Sequence, residues 1–132
     1  MYSLMLQFPC PCCGYIVFTQ PPGAHGVCPI CNWEDDLSQL RFPLMPGLSN
    51  HSSLQSAQKN YATSGASAKH NPGPVRKPEI TDQQDEGWRQ LDTEHDNIEE
   101  PHRGIDYNSS YPQDTTVLYY WRETYWRAGH AC

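Results

Sequence analysis

The stretch Cys10-Pro11-Cys12-Cys13-Gly14 is followed by a second stretch of the same design, Cys28-Pro29-Ile30-Cys31-Asn32. Each contains a Cys-x-x-Cys pair, and 14 residues separate Cys13 from Cys28. In each pair a proline follows the first cysteine and presets the backbone, and a residue that tolerates positive φ follows the second cysteine. This design predicts two knuckle turns that together hold one zinc ion in a tetrahedral site of the ribbon or rubredoxin type.

The predicted zinc ligands are both cysteines of each Cys-x-x-Cys pair. They are Cys10, Cys13, Cys28 and Cys31. Four thiolates leave no open coordination position, so we expect a structural Zn²⁺ rather than a catalytic one. A redox pair of the thioredoxin type is disfavoured because the proline-rich flanks do not provide a βαβ unit. A disulfide scaffold is disfavoured because five of the six cysteines lie within 22 residues and no secretion signal accompanies them.

Three further groups bear on this ligand set. Cys12 is expected to point away from the metal, but it could replace Cys13 as a ligand. His25 would bind the metal only if a cysteine were displaced. Cys132, at the end of the chain, is interpreted as a free thiol.

The interval between the pairs predicts a β-hairpin. Residues 15–18 are β-branched or aromatic and favour a strand, and Pro22-Gly23 suits the centre of a type II turn. Residues 24–27 then return to the second knuckle. We therefore expect a small α+β fold built on a zinc-ribbon or rubredoxin-like hairpin with two knuckles.

One helix is predicted to pack on this hairpin. It begins near Ser52, where Ser52-x-x-Gln55 fits a capping box, and Gly65 suits the position that ends it. Trp33 is expected to cover the zinc site or the small core. Residues 80–91 are interpreted as a second, short helix.

The composition predicts a core too small to be stable without the metal. Only 37% of the residues are hydrophobic, and 12 of the 132 are proline and 9 glycine. We expect a zinc-ribbon domain over residues 1–67, an acidic, proline-rich irregular segment over residues 68–114, and an aromatic strand over residues 115–132 that packs back on the first domain. No stretch approaches about 18 apolar residues, and residues 1–8 lack the features of a signal peptide. A cytoplasmic protein without membrane contact is expected, and its thiols would stay reduced.

Negative charge is concentrated in one segment. The net charge is −6, and residues 79–100 contain nine of the 15 acids and one base, Arg89. This charge argues against general binding to nucleic-acid phosphates and favours a basic protein partner. The predicted partner-binding acids are Glu34, Asp35 and Asp36 after the second knuckle, and Glu94, Asp96, Glu99 and Glu100 in this segment. Alternatively, these acids are only solvated, as charge runs commonly are.

The C-terminal tail is rich in aromatic residues. Residues 115–122 are interpreted as a strand, and the triplet Tyr-Trp-Arg occurs at residues 120–122 and again at residues 125–127. These rings either complete the core through alternation or form an interface, because Trp, Tyr and Arg are enriched at binding hot spots. The predicted aromatic anchors of a partner surface are Trp121, Tyr125 and Trp126.

Residues 8–15, Pro22-Gly23 and residues 28–36 together resemble the bacterial cysteine-rich CPCC family. The resemblance extends over residues 8–67, although the chain has Gly-Leu-Ser-Asn at residues 47–50, where the family tends to have a Gly-Ala-Asn-like turn. The motif is specific for the family, but the family is not specific for a function. Some members lie near toxin genes, which implies an immunity or accessory role.

Three functions follow from these features. The favoured one is a non-enzymatic, zinc-binding, protein-binding module that acts as an immunity or antitoxin-like inhibitor of a bacterial toxin. The alternative is a zinc-ribbon module for nucleic acid or transcription, but the ribbon half contains only Arg41 and Lys59 as bases against three acids. A thiol-dependent enzyme with Cys12 as an activated thiolate is less favoured, because the sequence contains no P-loop, GxSxG or HExxH motif.

Overall fold

The computed structural model of the 132-residue chain describes residues 6–100 and 111–128. In chain order the elements are β1 (Phe8–Pro9), β2 (Ile16–Phe18), α1 (Leu37–Arg41), α2 (Leu54–Ser64) and a 3₁₀ helix (Thr115–Leu118). This small α+β structure has the predicted class: a two-stranded hairpin, a helix and a cysteine cluster compatible with a zinc-ribbon-like knuckle. No helix within the described ranges combines the length and the apolar character needed to cross a membrane.

The two strands flank the first knuckle rather than join the two knuckles. β1 pairs antiparallel with β2, with Phe8 opposite Phe18. The prediction that residues 24–27 form the second strand is wrong. Val27 makes only an isolated bridge, to Glu34 across the second knuckle. Each knuckle is a tight reversal, so the segments entering and leaving it pair with each other.

The predicted helix is present as α2. α2 is capped by Ser53, whose hydroxyl accepts a hydrogen bond from the Ser56 amide at 3.1 Å. The prediction of Ser52 as the cap is therefore one residue early. Gly65 ends the helix in the left-handed region at φ +80°, as its sequence predicts.

The sequence analysis missed α1, which directly follows the second knuckle. The Asp36 carboxylate caps it by accepting a hydrogen bond from the Gln39 amide at 3.0 Å. Its buried residues include Gln39 and Leu40. A helix of five residues is too short for apolar periodicity to reveal it.

The core is centred on the knuckles. Its largest fully buried side chains include Trp33, Tyr119, Phe42, Ile30, Leu54 and Leu118. All five cysteines of the knuckle stretches are fully buried in the same cluster. The expectation that Trp33 covers the small core is confirmed, since its exposed fraction is 1%.

The tail is not a strand. Its regular element is the 3₁₀ helix, where the Asp114 side chain accepts a hydrogen bond from the Thr116 amide at 3.0 Å, and turns continue to residue 128. Leu118, Tyr119 and Tyr120 are all buried, a run that alternation along a strand cannot produce. The predicted strand is therefore wrong, whereas the predicted core role of these rings holds. Residues 129–132 lie outside the described ranges.

The predicted short helix at residues 80–91 is also absent. This segment forms turns, and Gln84 makes an isolated bridge to Tyr15. Gly87 adopts φ +80°, which a helix does not allow. The segment instead lies along the first knuckle, where it contributes to the site.

Candidate metal centre

Four cysteine sulfurs meet in the interior. Each of Cys10, Cys13, Cys28 and Cys31 offers an Sγ atom that lies within 4.8 Å of the other three. The Sγ–Sγ distances are 3.6 Å for Cys10 with Cys31 and 3.7 Å for Cys13 with Cys28. Four thiolates about 2.3 Å from a central zinc ion would be about 3.8 Å apart, whereas a disulfide needs about 2.05 Å. The spacing fits a shared metal ion. Each of the two distances joins a sulfur of one knuckle to a sulfur of the other.

The two knuckles have matching backbone geometry. The Gly14 amide donates to the Cys10 carbonyl at 2.7 Å, and the Asn32 amide donates to the Cys28 carbonyl at 2.9 Å. Gly14 and Asn32 have φ values of +82° and +69°, as the motif predicts. This turn exposes backbone amides to sulfur, and the Cys31 amide lies 3.5 Å from Cys28 Sγ.

Burial of the four thiols bears on their ionisation. Burial raises the pKa of the Cys10 thiol well above its ordinary value. Hydrogen bonds from the other three thiols, led by Cys10, lower the pKa of Cys28. Burial therefore opposes the ionisation of all four thiols together. A divalent cation would supply the positive charge needed to deprotonate them.

A strap, residues 83–91, covers the first knuckle. Its donors reach three of the four carbonyls of the -Pro-Cys-Cys-Gly- turn, all except that of Cys12. The hydrogen bonds run from Trp88 Nε1 to Pro11 O at 3.1 Å, from Gln84 Nε2 to Cys13 O at 3.0 Å and from Asp85 N to Gly14 O at 2.7 Å. The sequence analysis missed this role, because the strap's donors are more than 70 residues from the knuckle carbonyls in the chain and no local pattern indicates that the two are in contact.

A second segment, residues 67–76, covers the other knuckle. The Ser67 amide donates to the Cys31 carbonyl at 2.8 Å, and the Arg76 amide donates to the Ile30 carbonyl at 3.2 Å. All of these residues except Ser67 belong to the stretch interpreted as irregular. They are irregular in secondary structure, but their backbone hydrogen bonds hold them on the knuckle.

A buried glutamine joins four parts of the chain. Gln58 of α2 is 2% exposed. Its Nε2 donates to the Pro11 carbonyl at 3.0 Å and to the Tyr120 hydroxyl at 2.9 Å. Its Oε1 accepts from the Leu91 amide at 2.8 Å. The first knuckle, α2, the strap and the tail therefore meet at one side chain, which the sequence analysis did not single out.

The remaining thiol and imidazole candidates lie outside the four-sulfur group. Cys12 is fully buried, and burial raises the pKa of its thiol. His25 is exposed, with Nδ1 3.2 Å from Glu34 Oε2. Cys132 falls outside the described residues.

The acids after the second knuckle have structural contacts. Asp35 is buried, and its Oδ2 accepts hydrogen bonds from the amides of Gly23 at 2.8 Å and Ala24 at 2.9 Å. Burial raises the pKa of Asp35 despite these bonds. Asp36 is buried as the cap of α1. Of the three predicted partner-binding acids here, Glu34 has the most exposed side chain.

The acids of the 79–100 segment divide into paired and exposed groups. Asp96 Oδ1 lies 2.6 Å from Arg89 Nη2, and Glu99 Oε2 lies 2.8 Å from Arg41 Nη2. Glu94 and Glu100 are exposed. Glu94 also lies within 4.8 Å of Asp92 and His95, in an exposed group that includes no buried ligand. The structure does not gather the predicted acids into one cluster.

The predicted aromatic anchors contact the protein itself. Trp121 Nε1 donates to Asp85 Oδ2 at 2.7 Å, and the buried Tyr125 donates through its hydroxyl to the Asn97 carbonyl at 3.1 Å. The Trp126 ring lies 5.1 Å from the Arg41 guanidinium carbon. Trp121 and Trp126 remain half-buried, so part of each ring faces solvent.

Substitution of Gly14 tests the packing of the strap on the knuckle. A Cβ at this position would lie 2.5 Å from Trp88 Cδ2, so Gly14→Ala must displace the strap in addition to straining the backbone at φ +82°. Gly65→Ala is the matched control, because its φ is +80° and nothing lies within 4 Å of a Cβ there. We expect Gly65→Ala to lower the free energy of unfolding by about 1–2 kcal/mol and Gly14→Ala by about 1–3 kcal/mol more. Equal losses in urea denaturation would contradict the contact with Trp88.

A family model described as cysteine-rich CPCC matches residues 8–82, more than half of the chain. The matched range contains both knuckles, α1, α2 and the cover of the second knuckle. It ends just before the strap. A search of curated proteins found no match. With four cysteines gathered as its motif predicts, the chain belongs to the cysteine-rich CPCC family.

Proposed function

We propose that this protein is a non-enzymatic zinc-binding protein in which Cys10, Cys13, Cys28 and Cys31 hold one structural Zn²⁺. We further propose that the metal-stabilised fold acts as a protein-binding module, an immunity or antitoxin-like inhibitor of a basic toxin domain. Bound zinc would supply the positive charge that four buried thiolates need. The observation that carries the metal assignment is the buried group of four sulfurs that all lie within 4.8 Å of one another.

A structural role for the metal is favoured over a catalytic one. Four protein sulfurs complete a tetrahedron and leave no position for substrate or water. The fifth thiol, Cys12, is fully buried with a raised pKa, which is the opposite of an activated nucleophile. Both features support a protein that works by binding.

A basic protein partner is supported by charge. The net charge of −6 disfavours nucleic-acid phosphates and would accelerate association with a cationic surface. Several carboxylates of the acidic segment are used internally, so Glu94 and Glu100, the two predicted partner-binding acids of this segment that are exposed, are the best candidates for contact. The family resemblance, with toxin genes near some members, favours an inhibitor.

The partner proposal is tested by capture followed by charge reversal. Tagged protein is incubated with lysate of the native host, with and without nuclease, and the bound protein is identified and purified. Glu94→Lys with Glu100→Lys is then expected to slow association with it about tenfold or more at low salt, and less at high salt. Asp96 and Glu99 are left unchanged, because their reversal would break the contacts with Arg89 and Arg41.

The matched control is Glu123→Lys, a reversal at an exposed carboxylate of the tail. It should leave the association rate near that of the wild type. An association rate unchanged by reversal of Glu94 and Glu100 would contradict the acidic surface. Recovery of nucleic acid, or of proteins lost on nuclease treatment, would favour the zinc-ribbon nucleic-acid module instead.

A further inference from the structure

The four sulfurs are enclosed on every side by protein. All four cysteines have an exposed fraction of 0%. A chelator or an incoming metal ion must reach the sulfurs, so exchange requires part of the enclosure to open. The part that opens at the lowest free energy will set the rate of exchange.

The strap is a weakly packed part of the enclosure. Of its nine residues only Leu91 is buried, and only Asp85 and Trp88 are half-buried. Hydrogen bonds and the Trp88 ring hold it on the knuckle. Helix α2 also contacts the first knuckle, through Gln58, and its Leu54 and Ala57 are fully buried. Segments with few buried apolar contacts open locally while such a core stays folded.

One carboxylate fastens the strap to the tail. Asp85 accepts a hydrogen bond from Trp121 Nε1 at 2.7 Å, and both of its oxygens lie 3.0 Å from donors of Arg122. The Arg122 guanidinium in turn lies 4.6 Å from the ring centre of the fully buried Tyr119. These contacts, which we call the latch, connect the exposed strap to the core.

We propose that the strap gates exchange of the metal. The ion enters or leaves when residues 83–91 lift from the first knuckle, and the latch of Asp85 with Trp121 and Arg122 determines how often they lift. The strap and the latch lie outside residues 8–82, the range of the family match. The inference rests on the proposed zinc site.

Zinc transfer from the full-length, zinc-loaded protein to an excess of a chromophoric chelator tests the gate. Asp85→Asn removes the charge on which three donors converge, so we expect transfer to accelerate about tenfold or more. Glu86→Gln is the matched control, since it removes a neighbouring strap carboxylate that is exposed. Its transfer rate should equal that of the wild type.

Two further measurements separate local opening from general loss of stability. Ser53→Ala removes the cap of α2 without touching the strap, and it should leave the transfer rate nearly unchanged. The amides of residues 85 and 16 hydrogen-bond between the strap and the segment around the first knuckle, so their hydrogen exchange should accelerate in Asp85→Asn. The Asn32 amide, which lies in the second knuckle, should exchange at the wild-type rate.

Each outcome bears on the gate. One bound zinc with a transfer rate unchanged by Asp85→Asn would overturn the gate and leave the zinc site standing. Equal acceleration by Asp85→Asn and Ser53→Ala would show release through global unfolding and would also overturn it. A wild-type protein that binds no zinc would contradict both the gate and the site.

Discussion

Cys31→Ser is expected to abolish the folded state, whereas Cys12→Ser should leave it intact. Cys31 is one of the four clustered sulfurs, and its loss removes a thiolate from a tetrahedral metal site. Structural zinc contributes about 10–16 kcal/mol in small domains, which is comparable to or larger than the 5–15 kcal/mol by which a typical domain is stable. Without it, a core with so few aliphatic side chains should not stay folded.

The two variants form a matched pair, because both replace a fully buried knuckle thiol by a hydroxyl. Cys12→Ser should cost only about 1–3 kcal/mol, the penalty of burying a hydroxyl. Far-UV circular dichroism and denaturant unfolding distinguish the two results. Equal damage from both substitutions would mean that the ligand set is wrong.

Gln58→Leu is expected to destabilise the folded protein strongly. The substitution keeps the volume but leaves the Leu91 amide without its acceptor and removes both donors to Pro11 and Tyr120. An unsatisfied buried amide costs about 1–3 kcal/mol, and the lost network adds to it, so we expect the free energy of unfolding to fall by about 2–4 kcal/mol.

Gln55→Leu is the control on the same helix, because this half-buried side chain makes none of these contacts. It should change the free energy of unfolding by less than about 0.5 kcal/mol. Urea denaturation of the metal-loaded proteins measures both. If Gln58→Leu were as mild as Gln55→Leu, the four-way junction would not stabilise the fold.

The features predicted correctly are those that depend only on residues close together in the chain. The knuckle geometry follows from two tetrapeptides, and the positive φ of Gly14 and Asn32 follows from residue type. The end of α2 at Gly65 is likewise a local signal. These features need no knowledge of the rest of the chain, which explains why the four-sulfur group could be predicted.

Long-range contacts could not be predicted in the same way. Trp88 and Gln84 reach knuckle carbonyls more than 70 residues away, and nothing in the strap's composition indicates that role. The acidity of this segment suggested a partner surface, yet Asp85 and Asp96 pair with arginines of the same chain. Charge pattern alone does not reveal which carboxylates are used internally.

The strand predicted in the tail is wrong for a different reason. Its β-branched and aromatic residues favour a strand, but the core accepts Leu118, Tyr119 and Tyr120 in succession, which requires a turn. Tertiary packing therefore overrides local propensity. Residue type left a core role and an interface role open for the tail, and the burial of Tyr119, Tyr120 and Tyr125 agrees with the core role.

The decisive measurement is the metal content of the purified full-length protein. Elemental analysis should give one zinc per chain, and replacement by Co²⁺ should give the intense thiolate-to-metal absorption of a tetrahedral four-sulfur site. A folded chain that contains no stoichiometric metal, or iron in place of zinc, would contradict the structural zinc site.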